Sequence, residues 1–166
     1  MKLFAVAFSM ITMSAFANVP FLGSFSNAPL KANMNCTDFS GVWKGLCTSV
    51  EDGSTTTAAN NMAMEMWSCD SLELEKNTYP LDGVKTETTA RTANVSTIVM
   101  NMTWNDSQKK DFINVTIDEQ ILTFKNKDKI LWNGSGTLKI ENNKLILNLT
   151  ATLNGKSLSR TCEYSK

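Results

Sequence analysis

A chain of 166 residues is one domain's worth of sequence, and 42% hydrophobic with 19% charged residues describes a globular protein. The 16 Lys and Arg balance the 16 Asp and Glu, so no overall field selects for nucleic acid or an anionic membrane surface. There is no His, which removes the commonest general base, transition-metal ligand and pH switch together.

The first residues read as an export signal. Lys2 supplies the positive start, Leu3 to Met13 is mostly apolar, and Ala15-Phe16-Ala17 has the small-x-small pattern of a cleavage site. Residues 1–17 are therefore read as a signal peptide, 18–37 as a lead-in rich in Asn, Ser and Pro, and 38–166 as the folded domain. No other apolar run approaches the ~20 residues of a membrane-spanning helix. The expected location is exported, periplasmic or secreted, and the short signal looks bacterial. Asn-x-Ser/Thr sequons, from Asn35 to Asn148, are then a by-product of an Asn- and Thr-rich composition.

Strand one is expected from Phe39 to Val50, with Trp43, Gly45 and Cys47 on one face and Val42, Lys44 and Leu46 on the other. Asp52-Gly53 turns the chain into a second strand, Thr56 to Trp67, where Met62, Met64 and Met66 alternate. Antiparallel pairing about that turn puts Met62 near Trp43 and Met66 near Phe39. Leu72 and Leu74 alternate with Glu73 and Glu75 in a third strand. Tyr79 to Gly83 reads as an apolar turn or loop, and Val84 to Ala93 as a Thr-rich edge strand.

Asn94 to Trp104 carries Ile98, Met100, Met102 and Trp104 on one face. Ile113, Val115 and Ile117 form the next strand, and Asp118-Glu119-Gln120 reads as a turn into Ile121 to Asn126. Ile130, Trp132, Leu138 and Ile140 share parity. Asn142-Asn143 and Asn154-Gly155 are hairpin signals around the run Leu145 to Leu153. A last strand carries Leu158, Arg160, Cys162 and Tyr164 on one face. The fold class is all-β: an antiparallel meander of eight to ten strands, closed as an up-and-down barrel or folded as a sandwich.

Cys36, Cys47, Cys69 and Cys162 are an even set, which in an oxidising compartment favours two disulfides among three pairings. No two have zinc-type spacing, so no metal site is expected. A hairpin at Gly53 puts Cys36 opposite Cys69 and leaves Cys47 for Cys162, joining first strand to last.

The stretch Phe39-Ser40-Gly41-Val42-Trp43-Lys44 resembles the opening strand of the calycin group, which comprises lipocalins, fatty-acid-binding proteins and avidins. The resemblance implies an eight- to ten-stranded barrel with Trp43 plugging the closed end and Arg160, on the last strand, packed across it. Close Trp43–Arg160 packing favours a different pairing, Cys36–Cys162 with Cys47–Cys69. The sequence leaves both pairings open.

For chemistry, Trp43, Trp132, Phe124, Met62, Met64, Met66, Met100 and Met102 could line a cavity for a small apolar or amphipathic molecule, with Arg160 placed to orient an anionic group. The methionine thioethers also suit Cu(I), against which stands their ordinary use as core filler. Glu73 and Glu75 have the spacing of a carboxylate pair but lack an acid–base partner. There is no Ser–His or Cys–His set and no phosphate loop. The expectation is a non-enzymatic exported protein without a cofactor, binding a small ligand in a barrel. The alternatives are an envelope or secreted interaction or inhibitor module, working through loops such as Tyr79-Pro80-Leu81, and Cu(I) handling.

Overall fold

The computed structural model describes residues 34–91, 94–123 and 129–166. The expected signal peptide, most of the lead-in and Phe124 lie outside the described residues. Period-two alternation resolves into ten strands: β1 Gly41–Glu51, β2 Ser54–Ser68, β3 Ser71–Leu74, β4 Asn77–Pro80, β5 Thr86–Arg91, β6 Asn94–Trp104, β7 Phe112–Thr123, β8 Lys129–Glu141, β9 Lys144–Leu153 and β10 Lys156–Ser165. They form one antiparallel sheet in the order β4-β3-β2-β1-β10-β9-β8-β7-β6-β5. The sheet curls into a nearly closed barrel in which the first and last long strands, β1 and β10, are hydrogen-bonded neighbours.

Four tight turns have positive φ at both central residues, the backbone of two-residue hairpins that match strand twist: Asp52-Gly53, Glu75-Lys76, Asn142-Asn143 and Asn154-Gly155. The first fixes the β1–β2 register, with Trp43 opposite Met62 as the turn implies. Gly45, inward between Trp43 and Cys47, is required for a different reason. A Cβ there would run into the backbone carbonyl of Glu163, so only glycine lets β1 lie this close to β10.

The apolar rows point inward, while the outer faces carry mostly Thr, Asn, Lys and Glu with single apolar residues such as Val42 and Leu46. A lipid-facing barrel has the reverse arrangement. No helix among the described residues is long and apolar enough to cross a membrane. The main core joins Phe39, Trp43, the five methionines, Leu72, Leu74, Tyr79, Leu81, Ile113, Val115, Leu138, Leu145 and Tyr164.

The disulfides are Cys36–Cys69 and Cys47–Cys162. Cys47 and Cys162 are direct cross-strand partners on β1 and β10. Such bridges persist in oxidising compartments. The residues before β1 form a strap across one end of the barrel. Cys36 is bonded to the β2–β3 turn, the Thr37 N–H donates to the Lys110 carbonyl at 3.0 Å, and Phe39 packs 6.1 Å from the Trp104 ring.

Three expectations are corrected. The expected turn or loop from Tyr79 to Gly83 begins only at Leu81: Tyr79 and Pro80 lie in β4, and Tyr79 and Leu81 are buried. The segment crosses to β6, where Asp82 bridges Thr103 and the Gly83 N–H donates to the Met102 carbonyl at 3.1 Å, closing the barrel at this end. Asp118-Glu119-Gln120 is not a turn, because β7 runs unbroken through it. Its polar residues are accommodated by partners: Asp118 accepts from Asn133 and Glu119 from Ser96. Glu73 and Glu75 do not share a strand face, since β3 ends at Leu74 and Glu75 sits in the turn with φ 51°.

Candidate functional site

The barrel has two unlike halves. The strapped half is a packed base. Trp43 is buried there, its indole N–H donating to the Phe39 carbonyl at 2.9 Å, which makes it a plug held by the strap. The cation across its ring is Lys166, whose Nζ lies 4.7 Å from the ring centroid. The Lys166 side chain runs over Gly41, where a Cβ would crowd its Cε to 2.8 Å.

Arg160 sits elsewhere: it is opposite Ser49 on β1 and Leu149 on β9, away from Trp43. The Arg160–Trp43 packing implied by the resemblance is therefore corrected. The cause is register. A Cys47–Cys162 pair puts Arg160 opposite Ser49, six residues along β1 from Trp43 and on the far side of Cys47, and the chain reaches Trp43 only at its last residue.

Met62, Met64, Met66, Met100 and Met102 lie in the base, each 5% exposed or less, packed with Phe39, Trp43, Leu72 and Ile113. Met66 Sδ accepts the Phe39 N–H at 3.4 Å, and Ser40 Oγ accepts the Met66 N–H at 2.8 Å. Of the nine sequence-derived candidates Phe124 lies outside the described residues, and the structure brings six of the other eight together in the core. The other two, Trp132 and Arg160, belong to the opposite half.

That opposite half is open. The short β3–β4 hairpin pairs with β2 only from Met64 onward, so the wall beside residues 54–63 of β2 is missing. Ser54 to Ala59 are exposed on both faces, including Thr56 and Ala58, which share parity with inward Met62. Solvent therefore reaches the interior here. The floor is the Tyr164 hydroxyl, 3.4 Å from Cys47 Sγ and donating to Asn60 Oδ1 at 3.2 Å. Burial pushes the Tyr164 hydroxyl up to about 12, against the opposing pull of Arg160 nearby.

Across from the opening, Trp132 is 5% exposed and packs on Ala151 and Leu158, with Ile117, Leu149 and Leu153 around them. Gly134, the next inward residue of β8, leaves room for the indole: a Cβ there would approach Trp132 Cη2 to 3.0 Å. The buried Trp132 Nε1 has no hydrogen-bond partner among the described residues. A buried indole N–H normally finds one.

Glu119 is the direct cross-strand neighbour of Trp132, and accepts a 2.6 Å hydrogen bond from Ser96 Oγ. Glu119, Ser96, Asn60 and Ser49 face this space by strand parity, yet were not singled out in the sequence. A strand-parity reading with β7 continuous would have found Glu119. At the edge of the gap, burial raises Glu75 and Tyr79, and Glu75 adds to the Tyr79 shift.

The arrangement suits binding of a small molecule with an apolar body and a hydrogen-bond acceptor. Among the described residues, no cluster of His, Cys, Asp and Glu could hold a metal ion. A shallow groove on the outside of β1 and β10, lined by Lys44, Leu46, Lys144 and Glu163, is open to solvent and carries an exposed ion pair, Lys144–Glu163. Set against protein-family models, curated proteins and solved structures, the chain matches none of them.

Proposed function

We propose that this is an exported, non-catalytic barrel protein that holds a small amphipathic molecule in the open half of its barrel, in the manner of the calycin group that its first strand resembles. The observation that carries the reading is the buried Nε1 of Trp132, unpartnered among the described residues, in the half where the β2 wall lies open. The apolar part of the ligand covers Ile98, Ile117 and Leu149, and its acceptor oxygen meets Trp132 Nε1. The base, with Trp43 and the methionines, serves as a packed floor, which leaves the thioethers a structural role in place of Cu(I) binding.

The test uses the disulfide-bonded protein and the probe 1-anilinonaphthalene-8-sulfonate, which combines apolar rings with acceptor oxygens. Saturable one-to-one binding is expected, weakened about fivefold by Trp132→Phe, the effect of one hydrogen bond near 1 kcal/mol. Met64→Leu, in the base, leaves binding unchanged. Absence of saturable binding, or equal effects of the two substitutions, overturns the reading.

A further inference from the structure

The gap that opens the barrel also leaves a strand edge. β2 pairs with β1 in unbroken register from Ser54 to Met64, and with β3 only from Met64. A two-residue hairpin closes with a hydrogen-bonded pair, Glu51–Ser54, so even-numbered residues of this part of β2 aim their N–H and C=O groups at β1. The backbone groups of Thr55, Thr57, Ala59 and Asn61 then point out of the sheet, where no described strand meets them.

Edges are normally blunted by Lys, Pro, a bulge or a covering segment. Residues 54–61, Ser-Thr-Thr-Thr-Ala-Ala-Asn-Asn, carry no charge and no Pro, and the bulge on β2 comes only between Glu65 and Ser68. The terminal strand β5 carries Glu87.

We infer that this β2 edge is an interaction surface for a second copy of the chain, paired antiparallel to its own β2 across a two-fold axis. Such an interface is self-complementary: each residue meets its counterpart in both directions. Because residues 54–61 are neutral throughout, no register of the segment on itself sets like charges opposite one another. The outward side chains of Thr55, Thr57 and Ala59 are small, so two barrels can approach to strand-pairing distance. The hydrogen bonds are main-chain, as in strand addition generally.

The test is sedimentation equilibrium of the disulfide-bonded protein from micromolar to millimolar concentration. A mass rising toward twice that of the monomer is expected. Thr57→Pro removes an N–H that meets no described strand but is needed across the interface. Thr57→Lys with Ala59→Lys adds like charges to both sides. Thr57→Pro is expected to weaken association about thirtyfold, the effect of losing one main-chain hydrogen bond from each copy, and the Lys variant to weaken it through like-charge repulsion. Thr116→Lys, exposed on β7 inside the sheet, leaves it unchanged. If Thr57→Pro misfolds, as read by circular dichroism, the double Lys variant decides. A monomer at all concentrations, undiminished association of the Lys variant, or equal loss with Thr116→Lys overturns the inference. Probe binding is read separately, so either proposal can fail alone.

Discussion

Removing the Cys47–Cys162 bridge should cost more than removing Cys36–Cys69, and the difference follows from topology. The first closes a sequence separation of 115 residues, the second 33. In the chain-entropy account these constrain the unfolded chain by about 4.8 and about 3.7 kcal/mol respectively at 25 °C. The overlap of the two loops changes this little, because the shortest path from Cys47 to Cys162 through the other bridge is still about 100 residues. Cys47 and Cys162 are also buried, at 2% and 0% exposure, so their replacement by Ala loses core packing as well. Against a typical total of 5–15 kcal/mol, Cys47→Ala with Cys162→Ala should leave a marginal fold. Urea unfolding of both double variants at equal m-value measures the two costs. A Cys47/Cys162 cost at or below that of Cys36/Cys69 would refute the reasoning.

Tyr164 should make the protein alkali-sensitive. Its folded hydroxyl is pushed up to about 12 from an ordinary value of 10.0, so the folded state keeps a proton that the unfolded chain has lost in between. Stability is fully present below pH 10 and falls as pH rises through about 12, by on the order of 3 kcal/mol in total. Tyr164→Phe should flatten that decline in urea midpoints measured against pH; an unchanged slope would count against it. Lys166→Ala should cost about 0.5–1 kcal/mol by removing the cation over Trp43. Lys166→Arg should restore it, whereas equal losses in both would show that the ring contact contributes nothing. Glu65 and Glu73 face one another across β2 and β3, so Glu73→Lys should raise the thermal midpoint, gaining about 0.2–1 kcal/mol. A lowered midpoint would contradict this.

The strands were legible wherever alternation was long and the turn chemistry strong. Asp52-Gly53, Asn142-Asn143 and Asn154-Gly155 set registers that the structure keeps, and the Trp43–Met62 pair follows from the first. Glu75-Lys76 escaped notice because neither residue favours positive φ, and with it went the short β3–β4 hairpin and the gap beside it. Polarity misled at Asp118 to Gln120, where partners on β6 and β8 compensate for charge. Lys166 could not be placed from the sequence. Its position over Trp43 depends on a β1–β10 register that was set only once the disulfide pairing was known. The open half was equally hidden, since it arises from a wall too short by several residues and not from any motif.

The pairing of β1 with β10 also governs the order of events in folding. The β1–β10 ladder joins strands some hundred residues apart in sequence, whereas the β1–β2 hairpin and each hairpin from β5 to β10 can form from neighbouring sequence. Contacts of such long range are slow to nucleate, because loop-closure entropy must be overcome before the ladder gains anything. The β1–β10 ladder should therefore form after the local hairpins, and the core of the base cannot close until β10 has been made.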